Sequence, residues 1–367
     1  MIVTRTFHPV GQGAFYSEVF RMDDKVCFVT VYDCGSETAP KGKTVSALGQ
    51  QILEFKNRLG PNPKIDILFI SHFHADHVNG LSNLLSGVEV KKTVVPMLNN
   101  ETILVARAYN HLNFDTKTAE ECDSIMQELY SGLPESPRFG EIIFVKPMSP
   151  EAARDSNEGG KLISNGREID SGDSINNDPF WEYVPFNSFE LSDTRAIKFR
   201  HDLDVLCYTK YGDTRHDLSA VILEHRDDVH KLYKGAIGHA NENIYCLLLV
   251  SRPVAGVVPK TLSRESHGLY LGDFDYHQKS NPWDRLTCKI DYKTMGTVQV
   301  PHHGAKANWD SGKMLDGQQR DYIVSSGSTN RYHHPSFWVV EDIRNAGLKV
   351  YVVSEEARTE KVYDIEI

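Results

Sequence analysis

The stretch SHFHADHVNG, residues 71–80, sets three histidines and an aspartate within six positions, directly behind the run IDILFI at 65–70. A short, near-continuous apolar run of that kind reads as a strand buried on both faces. Residues two apart in extended backbone face the same side, so His72 and His74 converge on one point. Asp76 and His77 follow at the mouth of a short helix expected over 78–85 and converge on a second point nearby. Imidazoles joined by a carboxylate are the donors that Zn²⁺ and similar borderline metals take. A polar loop capping a helix would account for one histidine; it does not account for H-x-H-x-D-H behind a buried strand.

Outward from this point the chain alternates strands and helices. Upstream, 26–32 is an apolar, β-branched run ending in DCGS, and 45–59 has helical spacing that stops at Gly60-Pro61. Downstream, 89–95 reads as a strand closed by Pro96. The far half repeats the rhythm, with strands over 245–250, 268–271, 297–300 and 322–325, a helix over 337–346, and closing strands over 350–353 and 361–367. Two strand-rich halves flanked by helices predict an α/β fold of four layers, αββα. Residues 98–236 break the pattern. They hold a helix candidate at 119–130, a strand candidate at 141–145 and a polar stretch, 150–178, that reads as a mobile loop. WEYVPFN at 181–187 alternates like a strand. This middle is expected to be an insertion within one domain spanning 1–367.

The chain of 367 residues carries a net charge of −10, with 40% hydrophobic and 25% charged residues, the make-up of a globular protein with a substantial core. That balance argues against a general nucleic-acid coat, whose affinity comes largely from phosphate neutralisation. It leaves room for an enzyme with a local basic groove. The opening residues, MIVTRTFHPVGQGAFYSEVF, lack the basic start and apolar core of a signal peptide. No apolar run is long enough to cross a membrane. Six cysteines (27, 34, 122, 207, 246 and 288) form no C-x-x-C pair. They read as reduced core thiols, and the expected location is cytoplasmic.

Further donors stand beside strands, where α/β proteins build sites. His239 precedes a strand in GHANENIYCLLL (238–249), Asp273 ends one in GLYLGD (268–273), and His302 and His303 end another in VQVPHHG (298–304). Together, H-x-H-x-D-H, a Gly-His before a strand, a strand ending in Gly-Asp and a strand ending in histidine resemble the metallo-β-lactamase superfamily. VGQGAF (10–15), YDCGS (32–36), SHFHADH (71–77), YLGD (270–273), VPHHGA (300–305) and NRYHHPS (330–336) narrow the resemblance. They are similar to the C-terminal nuclease-like domain of competence DNA-uptake channel proteins and related stand-alone hydrolases. The likeness covers 1–96 and 237–367 and leaves the middle outside.

The resemblance implies a metallo-β-lactamase sandwich holding two divalent metals, Zn²⁺ foremost, with Mn²⁺ or Mg²⁺ as alternatives. His72, His74 and a third ligand would hold the first. Asp76, His77 and one VPHHG histidine, His302 with His303 as the alternative, would hold the second. Asp273 would bridge both. His239 is the assignment for the third ligand, which Asn241 or Asn243 could replace. Asp76, Asp273 and His334 are the implied catalytic residues: Asp273 orients an activated water, and His334, with His333 as alternative, donates a hydrogen bond to a charged oxygen or leaving group. Asp33 reads as a carboxylate that fixes a ligand imidazole. Gly11 and Gly13 read as a tight hairpin near the site.

The implied activity is that of a phosphodiesterase or nuclease acting on DNA, then RNA, then a cyclic or small nucleotide. Lys306, Arg331 and His334 are the expected substrate contacts, and Lys313 and Arg320 are further sources of positive charge. Trp181, Tyr183 and Phe186 are candidates for stacking on bases. The long middle segment is a candidate docking surface for a regulatory protein partner, as in bacterial defence or toxin-like systems. Two other classes stay open: a hydrolase of a small phosphodiester, cyclic nucleotide or lactone, and a regulated binding module on an inactive hydrolase fold. The full donor set counts against the last.

Overall fold

The computed structural model describes residues 1–39, 45–148, 166–178, 180–189, 194–213, 217–238, 245–260, 264–277 and 282–367. Among them the strands are β1 (Ile2–Phe7), β2 (Phe15–Met22), β3 (Lys25–Cys34), β4 (Lys64–Phe69), β5 (Glu89–Pro96), β6 (Glu135–Ser136), β7 (Gly140–Val145), β8 (Arg167–Ile169), β9 (Ile175–Asp178), β10 (Trp181–Asn187), β11 (Leu247–Pro253), β12 (Gly268–Tyr270), β13 (Thr297–Gln299), β14 (Asp321–Ser325), β15 (Lys349–Val353) and β16 (Lys361–Glu366). The helices are α1 (Ala47–Leu59), α2 (Ala75–Val78), α3 (Leu81–Leu85), α4 (Asn100–Asn113), α5 (Thr116–Leu129), α6 (Arg195–Tyr211), α7 (Leu218–Ile237), α8 (Pro282–Thr287), α9 (Ser311–Met314) and α10 (Phe337–Asn345).

The strands form two sheets. One runs β16-β1-β2-β3-β4-β5-β7-β6, with β8 paired to β7; the other runs β15-β14-β13-β12-β11-β10-β9. β3, β4 and β5 are parallel, as are β12, β13, β14 and β15. Each sheet therefore presents a block of carboxyl ends at one edge, and the loops leaving those ends carry the cluster described below.

Strand alternation sets the layering. In β2, Phe15 and Val19 face helices while Tyr16 and Phe20 face the opposite sheet. In β11, Leu247 and Leu249 face the first sheet while Leu248 and Val250 face helices on the far side. Three apolar layers result. The first lies between sheet one and α1 with α3 to α7, the second between the sheets, and the third between sheet two and α8 to α10. This is an αββα sandwich of four layers. α1 shows how the outer layers arise. Ser46 caps it by accepting from Gly49 N, Leu48, Ile52 and Phe55 make one buried stripe, and Gly60 ends it at φ 85°.

Residues 98–236 take part in both halves of this frame. α4 to α7 cover sheet one, β6 to β8 extend it, and β9 and β10 extend sheet two. Sequence periodicity anticipates α5, β7 and β10 but not the rest. Arg167–Ile169 and Ile175–Asp178 are strands inside the stretch expected to be a loop. Each leans on a better-patterned neighbour, β8 on β7 and β9 on β10, so pairing supplies what the side chains do not announce. Residues 150–165 of that stretch lie outside the described residues. Trp181 and Tyr183 are buried between the sheets and Phe186 beneath the far helices, so none can stack on a base, contrary to expectation. Among the described residues no cysteine is in a disulfide, but Cys27 and Cys288 are exposed and are not core thiols. Among the described residues no helix is long and apolar enough to cross a membrane.

Candidate metal centre

The cluster assembles from the ends of both sheets. β4 runs out into Ser71, His72, Phe73 and His74, and α2 then carries Asp76 and His77. Asp273 follows β12, His302 and His303 follow β13, and His334 precedes α10. Three sets of buried donors lie close enough to hold a metal ion: His72, Asp76 and His77; His72, His74 and Asp273; and His77, Asp273 and His303.

Asp273 stands at the centre with its two oxygens turned to different partners. Oδ2 is 3.6 Å from His72 Nε2 and 3.8 Å from His302 Nε2. Oδ1 is 3.2 Å from His77 Nε2 and 3.8 Å from His303 Nε2. His303 Nε2 also lies 3.1 Å from Asp76 Oδ2. Of the two VPHHG histidines, then, His303 is the buried one that joins Asp76 and His77. His302, preferred from sequence for that place, sits partly exposed on the Oδ2 side. The left-handed backbone at both residues, φ 49° and 55°, swings the second ring inward past the first. His239, Asn241 and Asn243 lie outside the described residues.

The donor atoms are aimed by hydrogen bonds on their far sides. Asp33 Oδ2 is 2.8 Å from His77 Nδ1 and also accepts from Ser71 Oγ, while Oδ1 accepts from Ser71 N. Ser71 Oγ lies 2.9 Å from His72 Nδ1. With both Nδ1 atoms occupied, His72 Nε2 and His77 Nε2 point into the cluster, buried and with no hydrogen-bond partner. Two orphaned imidazole nitrogens between carboxylates are costly unless a cation completes them, so the residues present fit a divalent metal.

Electrostatics points the same way. Burial alone would raise both carboxylates, yet His77 and His303 hold Asp76, and His302 and His77 hold Asp273, well below the carboxylate range. Burial opposes charge on His77 and His303 as well, but Asp273 and Asp76 hold both above the ordinary imidazole value. The carboxylates thus draw onto two imidazoles the positive charge that a metal supplies. Burial, then the His77 charge, holds His72 well below its usual value, and burial brings His74 down to about 4 against the pull of Asp76.

Two supporting residues escaped the sequence reading, both on α4. Tyr109 stacks on His74, ring centroids 3.7 Å apart at 18°. Asn110 accepts from Ala75 N and donates to Phe73 O, pinning the loop that carries the histidines. The signal available was the Asn99 N-cap ahead of NETILVARAYNHLN, with its apolar stripe.

His334 borders the cluster, its ring 5.7 Å from His302 and 6.3 Å from His303. Burial and those two neighbours push it down to about 3, so it is neutral near pH 7. Gln12 Nε2 donates to its Nδ1 at 3.4 Å, which leaves the ring proton on Nε2. His333 is exposed. Arg331 pairs with Glu37 at 3.0 Å beside a cleft of about 280 Å³ lined by Gln12, Glu37, Thr38, Asn330, Arg331 and Tyr332. Lys306 is exposed near the HHG turn. Arg320 is buried against Asp316 and the Tyr292 ring, and Lys313 is tied to Tyr276 O and Asp310, so neither supplies charge to the cleft. Gly13 does lie at the site: a Cβ there would run into Gly35 O and Asp76 O, and Ala14 N donates to Asp76 O at 3.2 Å.

The αββα sandwich thus brings together a buried His/Asp cluster able to hold a divalent metal. No protein-family model matches the chain, and no curated protein matches it. Solved structures do. The chain is similar to the metallo-beta-lactamase fold protein YhfI from Bacillus subtilis, at 8% identity and a TM-score of 0.41 over 99% of both chains. It is similar to unliganded yeast PDE1 at 11% identity and 0.42 over 100% of both. It is similar to Zn(2+)-bound PqqB from Methylobacterium extorquens at 9% identity and 0.41, over 96% of this chain and 98% of that one. At this identity and TM-score the likeness assigns neither substrate nor metal. None of the three is described as a competence-type nuclease.

Proposed function

We propose that the chain is a dinuclear metal-dependent phosphodiesterase, a nuclease acting on DNA. The observation that carries this is the split of Asp273, with Oδ2 toward His72 and Oδ1 toward His77 and His303. A carboxylate so placed joins two donor groups into one centre. His72 and His74 with Oδ2 would hold one divalent ion; Asp76, His77 and His303 with Oδ1 would hold the other. When bound, such a pair would supply Lewis acidity and lower the pKa of a water towards ~7.

The chain's own residues do the rest. Asp33 and Ser71 fix the His77 and His72 rings so that their Nε2 atoms stay aimed inward. Tyr109 covers one side of His74 and keeps water from it. His334, neutral and protonated on Nε2, donates a hydrogen bond to a phosphate oxygen or to the departing oxygen. Lys306, exposed at the HHG turn, offers positive charge to a phosphodiester chain, and Arg331 would do so by exchanging Glu37 for a phosphate. The resemblance of VGQGAF, VPHHGA and NRYHHPS to the competence-type branch favours DNA over RNA, and RNA over a small nucleotide.

The test is cleavage of linear duplex, circular and single-stranded DNA, and of bis(p-nitrophenyl) phosphate, with Zn²⁺, Mn²⁺ or Mg²⁺ added. The Asp76→Ala/His77→Ala variant runs alongside. Metal-dependent cleavage of DNA and of the small diester, absent in the variant, is the expected result. A metal-loaded wild type inert towards every phosphodiester rules the reading out and turns attention to lactones.

A further inference from the structure

We infer that Phe337 and Trp338, the first two residues of α10, form a stacking platform for single-stranded nucleic acid at the mouth of the metal centre. The inference rests on the phosphodiesterase reading above and names the form of the polymer.

Adjacency singles the pair out, since other large apolar side chains are as exposed but these two rings stand side by side. Of the four tryptophans in the chain, Trp181, Trp283 and Trp309 are buried and Trp338 is 59% exposed. Phe337 is 66% exposed, with its ring 5.7 Å from the indole at 77°. The fold does not use either ring as core. α10 is anchored by Val339 and Ile343, which are fully buried, and by the bond from Trp309 Nε1 to Asp342. Two large aromatics left in water on adjacent positions are costly to solubility and call for an occupant.

Position ties the pair to the centre. Ser336 N, immediately before Phe337, donates to Gly304 O at 2.9 Å, and Gly304 follows His302 and His303 directly. Pro335 packs against Gly304, where an added Cβ would lie 2.7 Å from the proline Cβ. On the other flank of the same loop, Tyr332 stacks on His334 at 5.6 Å and 23°. Tyr332 and the Phe337–Trp338 pair, all exposed, thus flank the loop that carries the half-buried His334.

Charge selects the occupant. Lys306, two residues beyond Gly304, is exposed and holds its ammonium over the Trp338 ring, 5.4 Å from the centroid. The nearby carboxylates Glu341 and Asp342 are engaged with Arg344 and Trp309. Exposed rings with an ammonium held over one of them match a base and its phosphate, and every base has a π face to offer. Duplex DNA hides those faces, so the platform favours a single strand.

The experiment titrates the metal-loaded chain with a phosphorothioate thymidine 20-mer, which resists turnover, and with a duplex of the same length and backbone. Trp338 is the exposed indole, so its emission reports occupancy. The single strand is expected to quench saturably and the duplex to need at least about tenfold more. Phe337→Ala and Trp338→Ala, read by anisotropy of a labelled strand, are each expected to weaken binding about tenfold. Circular dichroism and metal content on the same variants show that fold and centre stand. Equal quenching by strand and duplex, or unchanged affinity in both variants, overturns the inference. So does shielding of Trp338 that tracks protein concentration with dimer formation in sedimentation, which would make a second copy the occupant. Hydrolysis of bis(p-nitrophenyl) phosphate by the wild type reports separately on the phosphodiesterase reading, so the two can fail independently.

Discussion

At the scale of single residues, the centre turns on which histidine of the HHG turn reaches inward. Sequence order favours His302, because it follows the strand and proline directly. Backbone geometry favours His303, whose Nε2 sits 3.1 Å from Asp76 and whose Nδ1 lies 2.9 Å from Ser325 O. On the proposed two-metal reading, His303→Ala is therefore expected to lose one bound equivalent of metal, measured by elemental analysis after gel filtration, while His302→Ala loses none. The reverse pattern would restore the sequence-based choice. Asp33 offers a second case. It touches no substrate, but its Oδ2 orients His77 and its Oδ1 holds Ser71 N. Asp33→Asn keeps the shape and removes the charge, and metal affinity is expected to fall roughly 10- to 100-fold in a competition titration against a chelator. An unchanged affinity would make Asp33 a purely architectural residue.

At the scale of elements, the loops of the centre are locked by close backbone contact. Gly13 has φ 151°, and a Cβ there would stand 2.4 Å from Gly35 O and 2.7 Å from Asp76 O. Gly13→Ala must push the VGQG loop away from α2, which carries both Asp76 and His77. It is expected to cost about 2–3 kcal/mol in thermal or urea unfolding and to weaken metal binding with it. Lost stability with intact metal affinity would show that α2 does not depend on this loop. The same elements explain what was legible from sequence. H-x-H-x-D-H, GD and HHG announce themselves because their function depends on spacing within a few residues. α4 does not, because Tyr109 and Asn110 act only through contact with a loop 35 residues upstream. β8 and β9 were invisible for a related reason, being short strands held in place by their neighbours. The aromatic alternation of β10 was visible, but its destination between the sheets, rather than on a substrate, depends on β11 and sheet one.

At the scale of the whole molecule, two buried polar features set global stability. His8 stacks on Phe15 at 4.1 Å and 18°, with Nε2 2.8 Å from Ser17 Oγ. Glu360 lies 3.9 Å from its Nδ1 but is committed to Arg58, so the ring stays neutral. Burial, then the Arg58 charge, lowers His8 to about 3, against about 6.5 when unfolded. The unfolded chain alone takes up that proton between those values, so stability falls as pH drops from 6.5 towards 3. His8→Phe is expected to remove about 2 kcal/mol of that sensitivity at pH 5, read as the pH dependence of urea midpoints. The larger feature joins the sheets. Arg5 of β1 donates Nε to Glu18 of β2 at 2.6 Å and its other nitrogens to Glu265 O and Ser266 O. Glu18 in turn accepts from Ser251, Tyr270 and Tyr183, one residue from each of β11, β12 and β10. The ion pair is fully buried in the layer between the sheets. Removing one partner strands the other charge, so Glu18→Gln and Arg5→Met are each expected to cost about 3–5 kcal/mol. The double variant should cost less than the sum of the two, since no charge is then left without its partner. Because the network spans both sheets, the loss should lower one shared urea transition. Two resolved transitions in either single variant would instead mean that the sheets unfold separately once the network is broken, and an unchanged midpoint would mean that the apolar layer alone sets stability.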